Sequence, residues 1–217
     1  MDDSLGVPAL AGKDWLIMYN WRKMTPEKRD QVLSLRKQCR FPWHGPPHVV
    51  SDTTTLYHIT AACYEHASII GYSPERMTAF SELLVNEILK ENSSRIWAWC
   101  VLPNHYHTLI ECEDLKALIK ALGVLHGRTS RQWNLEESII GRTCWCRCMD
   151  RYMRSKRHKW ATLNYVHHNP VKHGYVEKWT DWPWSSATAY LDSIGKDAAA
   201  EAWREYPILD YGRGWDD

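Results

Sequence analysis

Residues 95–111 constrain the fold of this chain more than any other stretch. Two strand-length runs rich in Trp, Val, Ile and Tyr, residues 96–101 and 106–111, are hinged by Leu102-Pro103-Asn104. Aromatic and β-branched side chains suit a pleated surface, and a Pro-Asn pair ends a run and turns the chain. His105 and His107 stand two apart at the start of the second run. Side chains on a strand alternate faces, so both imidazoles point the same way. Two imidazoles side by side on a strand are half of a metal site, and what completes it decides the function.

The rest of the composition sets bounds. At 217 residues the chain suffices for one domain with a real core and an appended element. No apolar run reaches the roughly 18 residues of a membrane span, and Met1-Asp2-Asp3-Ser4 lacks the basic-then-apolar pattern of a secretory signal. Seven irregularly spaced cysteines fit reduced thiols in a cytosol. Thirteen tryptophans against two phenylalanines supply core bulk and candidate stacking surfaces for nucleobases. The net charge of +1 hides a local asymmetry. Arg147, Arg151, Arg154, Lys156, Arg157 and Lys159 crowd one segment, and an acidic stretch over 201–217 offsets them. Such a basic segment is either a solvated face or a phosphate-binding one.

Taken in order, Thr25-Pro26-Glu27 caps a helix over 25–37, with proline at its first position. Residues 41–48 hold three prolines and read as an ordered loop carrying His44 and His48. Residues 55–64 form a first strand. Ser73-Pro74-Glu75 opens a helix to about residue 92, with Phe80, Leu83, Leu84, Ile88 and Leu89 as its apolar stripe. Asp114 caps a second helix through Leu115, Leu118, Ile119, Leu122 and Leu125, its end weakened by Gly123 and Gly127. Arg128, Thr129, Ser130 and Arg131 follow as a solvated turn or a phosphate contact. Cys144, Cys146 and Cys148 alternate through a strand over 142–149; no second pair at zinc-finger spacing follows. A helix over 155–169 ends at Pro170, residues 181–186 begin a last short helix to about 194, and an irregular tail follows. The order β-α-β-β-α-β-α predicts an α+β fold: a ferredoxin-like antiparallel sheet with helices packed on one face.

On the 155–169 helix, Tyr165 and Asn169 are one turn apart and share a face. Beside the histidine strand, Asn169 would complete a three-ligand site of two imidazoles and an oxygen, suited to Mg²⁺ or Mn²⁺ on a phosphate. Three motifs run in this order: Leu102-Pro103-Asn104-His105-Tyr106-His107, then Asn164-Tyr165-Val166-His167-His168-Asn169-Pro170-Val171-Lys172-His173-Gly174-Tyr175-Val176, then Asp181-Trp182-Pro183-Trp184-Ser185-Ser186. Over residues 55–190 they closely resemble the REP-associated tyrosine transposases, members of the HUH single-strand transposase superfamily. Tyr106 fills the bulky hydrophobic position between the histidines, and Trp145-Cys146 stands where the family usually has Trp-Gln.

The resemblance implies a metal held by His105, His107 and Asn169, and Tyr165 as the nucleophile. It implies a single-stranded DNA substrate with palindromic hairpins, cut through a 5′-phosphotyrosine and rejoined. Arg128, Arg131 and the Arg147–Lys159 cluster would hold the backbone. Expected boundaries are an N-terminal extension (1–50), the catalytic domain (51–195) and an acidic tail (196–217), in a cytoplasmic, nucleoid-associated monomer or homodimer. Two other readings stand beside this one: a hairpin-binding protein of the same fold that does not cut, and a metal-dependent phosphodiesterase in which water attacks and Tyr165 packs.

Overall fold

The computed structural model describes residues 54–209, together with Thr25, Glu27, Lys28, Gln31 and Ser34. The last four are helical, and the Lys28 N–H donates to Thr25 Oγ1 at 3.4 Å, as expected of a capped helix start. The rest of that helix, and the loop carrying His44 and His48, lie outside the described residues. The chain divides into two compact units, 1–47 with 212–217, and 48–211.

Four strands form one antiparallel sheet in the order β2-β3-β1-β4: β1 (Thr55–Ala62), β2 (Arg95–Val101), β3 (His105–Cys112) and β4 (Met149–Tyr152). With a helix after β1 and another after β3, this is the predicted ferredoxin-like topology. Helix α1 (Pro74–Glu82) starts as expected: Ser73 Oγ accepts from the Arg76 N–H at 3.2 Å. It continues through a π-helical segment (Leu83–Leu89) into the short turn Lys90–Asn92. Asp114 Oδ1 accepts from the Ala117 N–H at 2.9 Å and starts α2 (Leu115–Glu136).

The two crossover helices cover one face of the sheet. Phe80 of α1 meets Tyr106 of β3 and Trp133 of α2, each with ring centroids 5.8 Å apart. The opposite face, carrying His105 and His107, is covered by α3 (Lys156–Lys172). Strand alternation makes the division clean: successive residues of β3 serve opposite layers.

Several local expectations give way to tertiary contacts. Gly123 and Gly127 do not end α2, which runs on to Glu136, so Arg128 and Arg131 are helical rather than in a turn. Each glycine costs about 1 kcal/mol relative to Ala; burial of Thr129 and Trp133 beyond them offsets it. The cysteine run is extended but pairs with the sheet only at the Cys63–Trp145 bridge before β4 begins at Met149. Pro170 lies inside α3 rather than at its end: its ring cannot donate to the Val166 carbonyl, yet the helix continues to Lys172. Residues 182–186 do not begin a helix. They run along the outer edge of β2, where Val101 N–H donates to Trp184 O (2.8 Å), Ser186 N–H to Trp99 O (2.9 Å), and Trp182 Nε1–H to Val101 O (2.8 Å). The third motif is thus an edge cover, satisfying backbone groups that would otherwise template aggregation. Helix α4 (Ala187–Ile194) follows, and the tail expected to be irregular forms α5 (Lys196–Glu205), tied to α3 by Asn164 Nδ2–H to Tyr206 O at 2.9 Å.

Candidate active site

The hinge between β2 and β3 is fixed from outside. Leu102 N–H donates to His105 O at 2.8 Å, closing a tight turn around Pro103 and Asn104. The Cys63 N–H donates to Asn104 O at 2.7 Å and the Gly71 N–H to Pro103 O at 2.8 Å. A Cβ on Gly71 would stand 2.4 Å from Pro103 Cβ, so only glycine allows this approach. The turn delivers His105 and His107, both buried, to the same face.

Helix α3 brings the partners across. Its start is capped by Ser155 Oγ, accepting from the His158 N–H at 3.1 Å. Residues 161–167, 169 and 170 are buried because the sheet lies on one side and the C-terminal helices on the other. Tyr165 is 1% exposed; its ring lies 5.2 Å from that of His107 and 6.0 Å from that of His58, edge-on to both. One turn on, Asn169 Oδ1 is 3.4 Å from His105 Nε2. Tyr165, His105, His107 and Asn169 therefore converge within one chain.

The hydrogen bonds set the tautomer of His105. Asn104 Nδ2–H donates to His66 O at 3.2 Å, which turns Asn104 Oδ1 toward His105 Nδ1 at 2.7 Å. Nδ1 therefore carries the proton and Nε2 presents a lone pair to Asn169 Oδ1. This nitrogen and the carboxamide of Asn169, whose buried Nδ2 has no hydrogen-bond partner, are the groups available to a cation. Among the described residues, no group of three or more His, Cys, Asp or Glu side chains is arranged to hold a metal. The donor set that does converge is two imidazoles and a carboxamide, which fits a divalent cation that keeps open positions for phosphate oxygen.

Four further residues belong to this site and were not singled out from the sequence. His58 Nε2 meets His107 Nδ1 at 3.2 Å and fixes that ring. Asn104 orients His105. At the C-terminal end of α3, the capping residue His173 sits with its ring 5.1 Å from that of His105, and Lys172 Nζ lies 5.3 Å from the centre of the Tyr165 ring. The spacing 165, 169, 172, 173 runs along one helical face and could have flagged the last two. His58 needed the strand register, which pairs it with Leu109.

The cationic residues divide. Arg147, Arg154, Lys156 and Arg157 are exposed around β4 and the first turn of α3, with Arg151 on β4 paired to His58 and so on the site face. Lys159 is partly covered, its Nζ 3.0 Å from the centre of the Trp97 ring. Arg128 and Arg131 lie on α2, in the layer across the sheet from Tyr165, and Arg128 is ion-paired with Glu87 at 2.7 Å. Trp145 is core: it stacks on His126 with centroids 4.1 Å apart in that same far layer.

With this geometry in view, comparison with known proteins is direct. The family described as "Transposase IS200 like" matches residues 52–169. A REP-associated tyrosine transposase of Haemophilus influenzae is 35% identical over 126 residues, covering 52% of this chain and 68% of that one. The REP-associated tyrosine transposase of Escherichia coli is 31% identical over 125 residues, covering 51% and 66%. The chain thus spans about two thirds of the length of these relatives. A solved REP-associated tyrosine transposase bound to a REP hairpin aligns at 20% identity over 71% of this chain and 83% of its own, with a TM-score of 0.47. The match to more than half of the sequence, over the segment that builds the tyrosine–histidine site, shows that the chain belongs to the IS200-like transposases and, within them, to the REP-associated tyrosine transposases.

Proposed function

We propose that the protein cuts and rejoins single-stranded DNA at hairpin-forming palindromes, with Tyr165 as nucleophile and a divalent metal, Mg²⁺ or Mn²⁺, as cofactor. The observation that carries this reading is the approach of Asn169 Oδ1 to His105 Nε2 at 3.4 Å, beside a tyrosine one helical turn away. His105, His107 and Asn169 would hold the cation, whose role is to withdraw charge from a non-bridging oxygen of the scissile phosphate.

The chain's own residues do the rest. Tyr165 Oη forms a bond to phosphorus while the bond to the 3′ oxygen breaks; the phenolic proton is lost and the 3′ oxygen leaves as a hydroxyl. The product is a 5′-phosphotyrosine that keeps the phosphodiester energy, so another 3′-OH can reverse the step without ATP. Lys172, 5.3 Å from the ring, puts positive charge beside the forming phenolate. Backbone phosphates suit the segment from Arg147 to Arg157. The first turn of α3 carries Lys156, Arg157 and Lys159 and no acid, so cations crowd the positive end of the helix dipole, an arrangement that a bound phosphate relieves.

One observation favours a second reading, a hairpin-binding protein that does not cut: Tyr165 is 1% exposed. A denaturing gel separates the two. Labelled single-stranded hairpin oligonucleotides from the flanks of the gene, with Mg²⁺ or Mn²⁺, are expected to give a metal-dependent covalent protein–DNA band that Tyr165→Phe abolishes. Cleavage that persists in Tyr165→Phe would mean that water attacks. Binding without cleavage in either metal would favour the non-cutting protein.

A further inference from the structure

The two histidines of β3 are held from different directions. His105 stands at the end of the hinge, where its own neighbour can reach it: Asn104 Oδ1 lies 2.7 Å from His105 Nδ1. His107 has no such help within its strand. Tyr106 and Thr108, on either side of it, alternate to the opposite face, where Tyr106 packs against Phe80 and Trp145. A partner for His107 has to come across the ladder.

Strand β1 supplies one. The sheet order places β1 between β3 and β4, and the antiparallel register sets Thr60 opposite His107 and His58 opposite Leu109. Directly opposed residues share a face, as do residues two apart, so His58 and His107 are diagonal neighbours on the site face. His58 Nε2 lies 3.2 Å from His107 Nδ1, with the ring centroids 5.2 Å apart. His58 is 2% exposed and His107 0%. Burying an imidazole costs desolvation that a leucine or valine at the same place would not, and a hydrogen bond is what offsets it.

The direction of that bond follows from the metal reading of the site. With Nδ1 of both strand histidines engaged, a cation is met through Nε2 of each. A neutral ring that offers its Nε2 lone pair carries its proton on Nδ1, so His107 donates and His58 Nε2 accepts. We propose that His58 is a positioning residue of the metal site: it holds His107 in the Nδ1–H tautomer, at the rotation that aims Nε2 toward the cation shared with His105 and Asn169. His58 acts through His107 and is not itself a ligand. The inference rests on the divalent cation named under the proposed function and is independent of whether Tyr165 attacks.

The test titrates Mn²⁺ into the full chain without DNA, so no cutting is involved, and follows free Mn²⁺ by electron paramagnetic resonance, with the metal-free melting temperature as control. His58→Ala is expected to weaken Mn²⁺ binding by roughly 10- to 100-fold, the range for losing the partner of a ligating histidine. A glutamine carbonyl reaches the place of a histidine Nε2, and an asparagine carbonyl only that of Nδ1. His58→Gln should therefore recover most of the affinity, and His58→Asn should behave like His58→Ala. If the alanine variant folds poorly, the glutamine and asparagine variants decide by themselves. A side chain that merely packs would lower the melting temperature in these variants without separating glutamine from asparagine in Mn²⁺ binding. Affinity equal to wild type in His58→Asn, or a loss as large in His58→Gln as in His58→Asn, would overturn the proposal. A wild type that binds no Mn²⁺ is a different failure: it removes the metal reading of the site, and this proposal with it.

Discussion

The two faces of β3 are built from alternate residues of one strand and follow opposite rules. On the far face, Tyr106 is wholly buried among Phe80, His126 and Trp145, and its hydroxyl meets His126 Nε2 at 3.1 Å. On the near face, His105 Nε2 and Asn169 Oδ1 stand 3.4 Å apart. On the far face the Tyr106 hydroxyl has a core partner, whereas on the near face the buried Asn169 Nδ2 beside His105 has none. A fully satisfied polar network contributes to the fold, whereas an unresolved one is stability set aside for a ligand.

That contrast can be broken by substitution. The largest effect on folding is expected from the far face: Phe80→Ala should lower stability by about 3–5 kcal/mol in denaturant unfolding, because it opens a cavity beneath three aromatic rings. A loss below about 1 kcal/mol would mean that the far face is not the core. The near face should behave the other way. Asn169→Ala or His107→Ala is expected to cut the rate of strand cleavage by roughly 10²-fold or more and to abolish any Mn²⁺-induced rise in melting temperature, while stability without metal falls little. Smaller again, Tyr106→Phe should cost on the order of 1–2 kcal/mol from the His126 hydrogen bond and leave cleavage intact.

The smallest effect near neutrality is a pH dependence. Burial pushes His126 down to about 4 and His167 to about 3, below the ordinary histidine value of 6.5. Both fold as neutral rings, so the unfolded chain binds the extra protons. Their contribution is complete above pH 6.5 and is lost as pH falls from there toward 4 and then 3. Thermal melts over this range should show a steady decline that His126→Gln flattens in part. A wild-type melting temperature unchanged from pH 7 to 5 would contradict the buried neutral state.

The two halves of the candidate active site differ in how far they could be read before the structure. His105 and His107 on one side of a strand, and Tyr165 and Asn169 on one side of a helix, follow from the 2.0 and 3.6 periodicities of the backbone alone. The caps at Ser73 and Asp114 are equally local and form as expected. His58 was not legible, because its meeting with His107 depends on a pairing between β1 and β3 across 49 residues. Nor was the extended course of residues 182–186, whose partners on β2 are about 85 residues away. Gly123 and Gly127 misled in the same way: their local cost is real but smaller than the burial gained by carrying α2 onward.

The sequence by itself determined the strand and helix faces on which the candidate site residues stand, and the order of elements that makes the sheet antiparallel. These are short-range properties, fixed by steric periodicity and by side chains capping their own backbone. Only the tertiary structure decided that α3 covers the histidine face while α1 and α2 cover the other. It also decided that Arg128 and Arg131 stand across the sheet from Tyr165. Those outcomes depend on which surfaces bury the most apolar area against one another, a competition among distant segments that no local window contains.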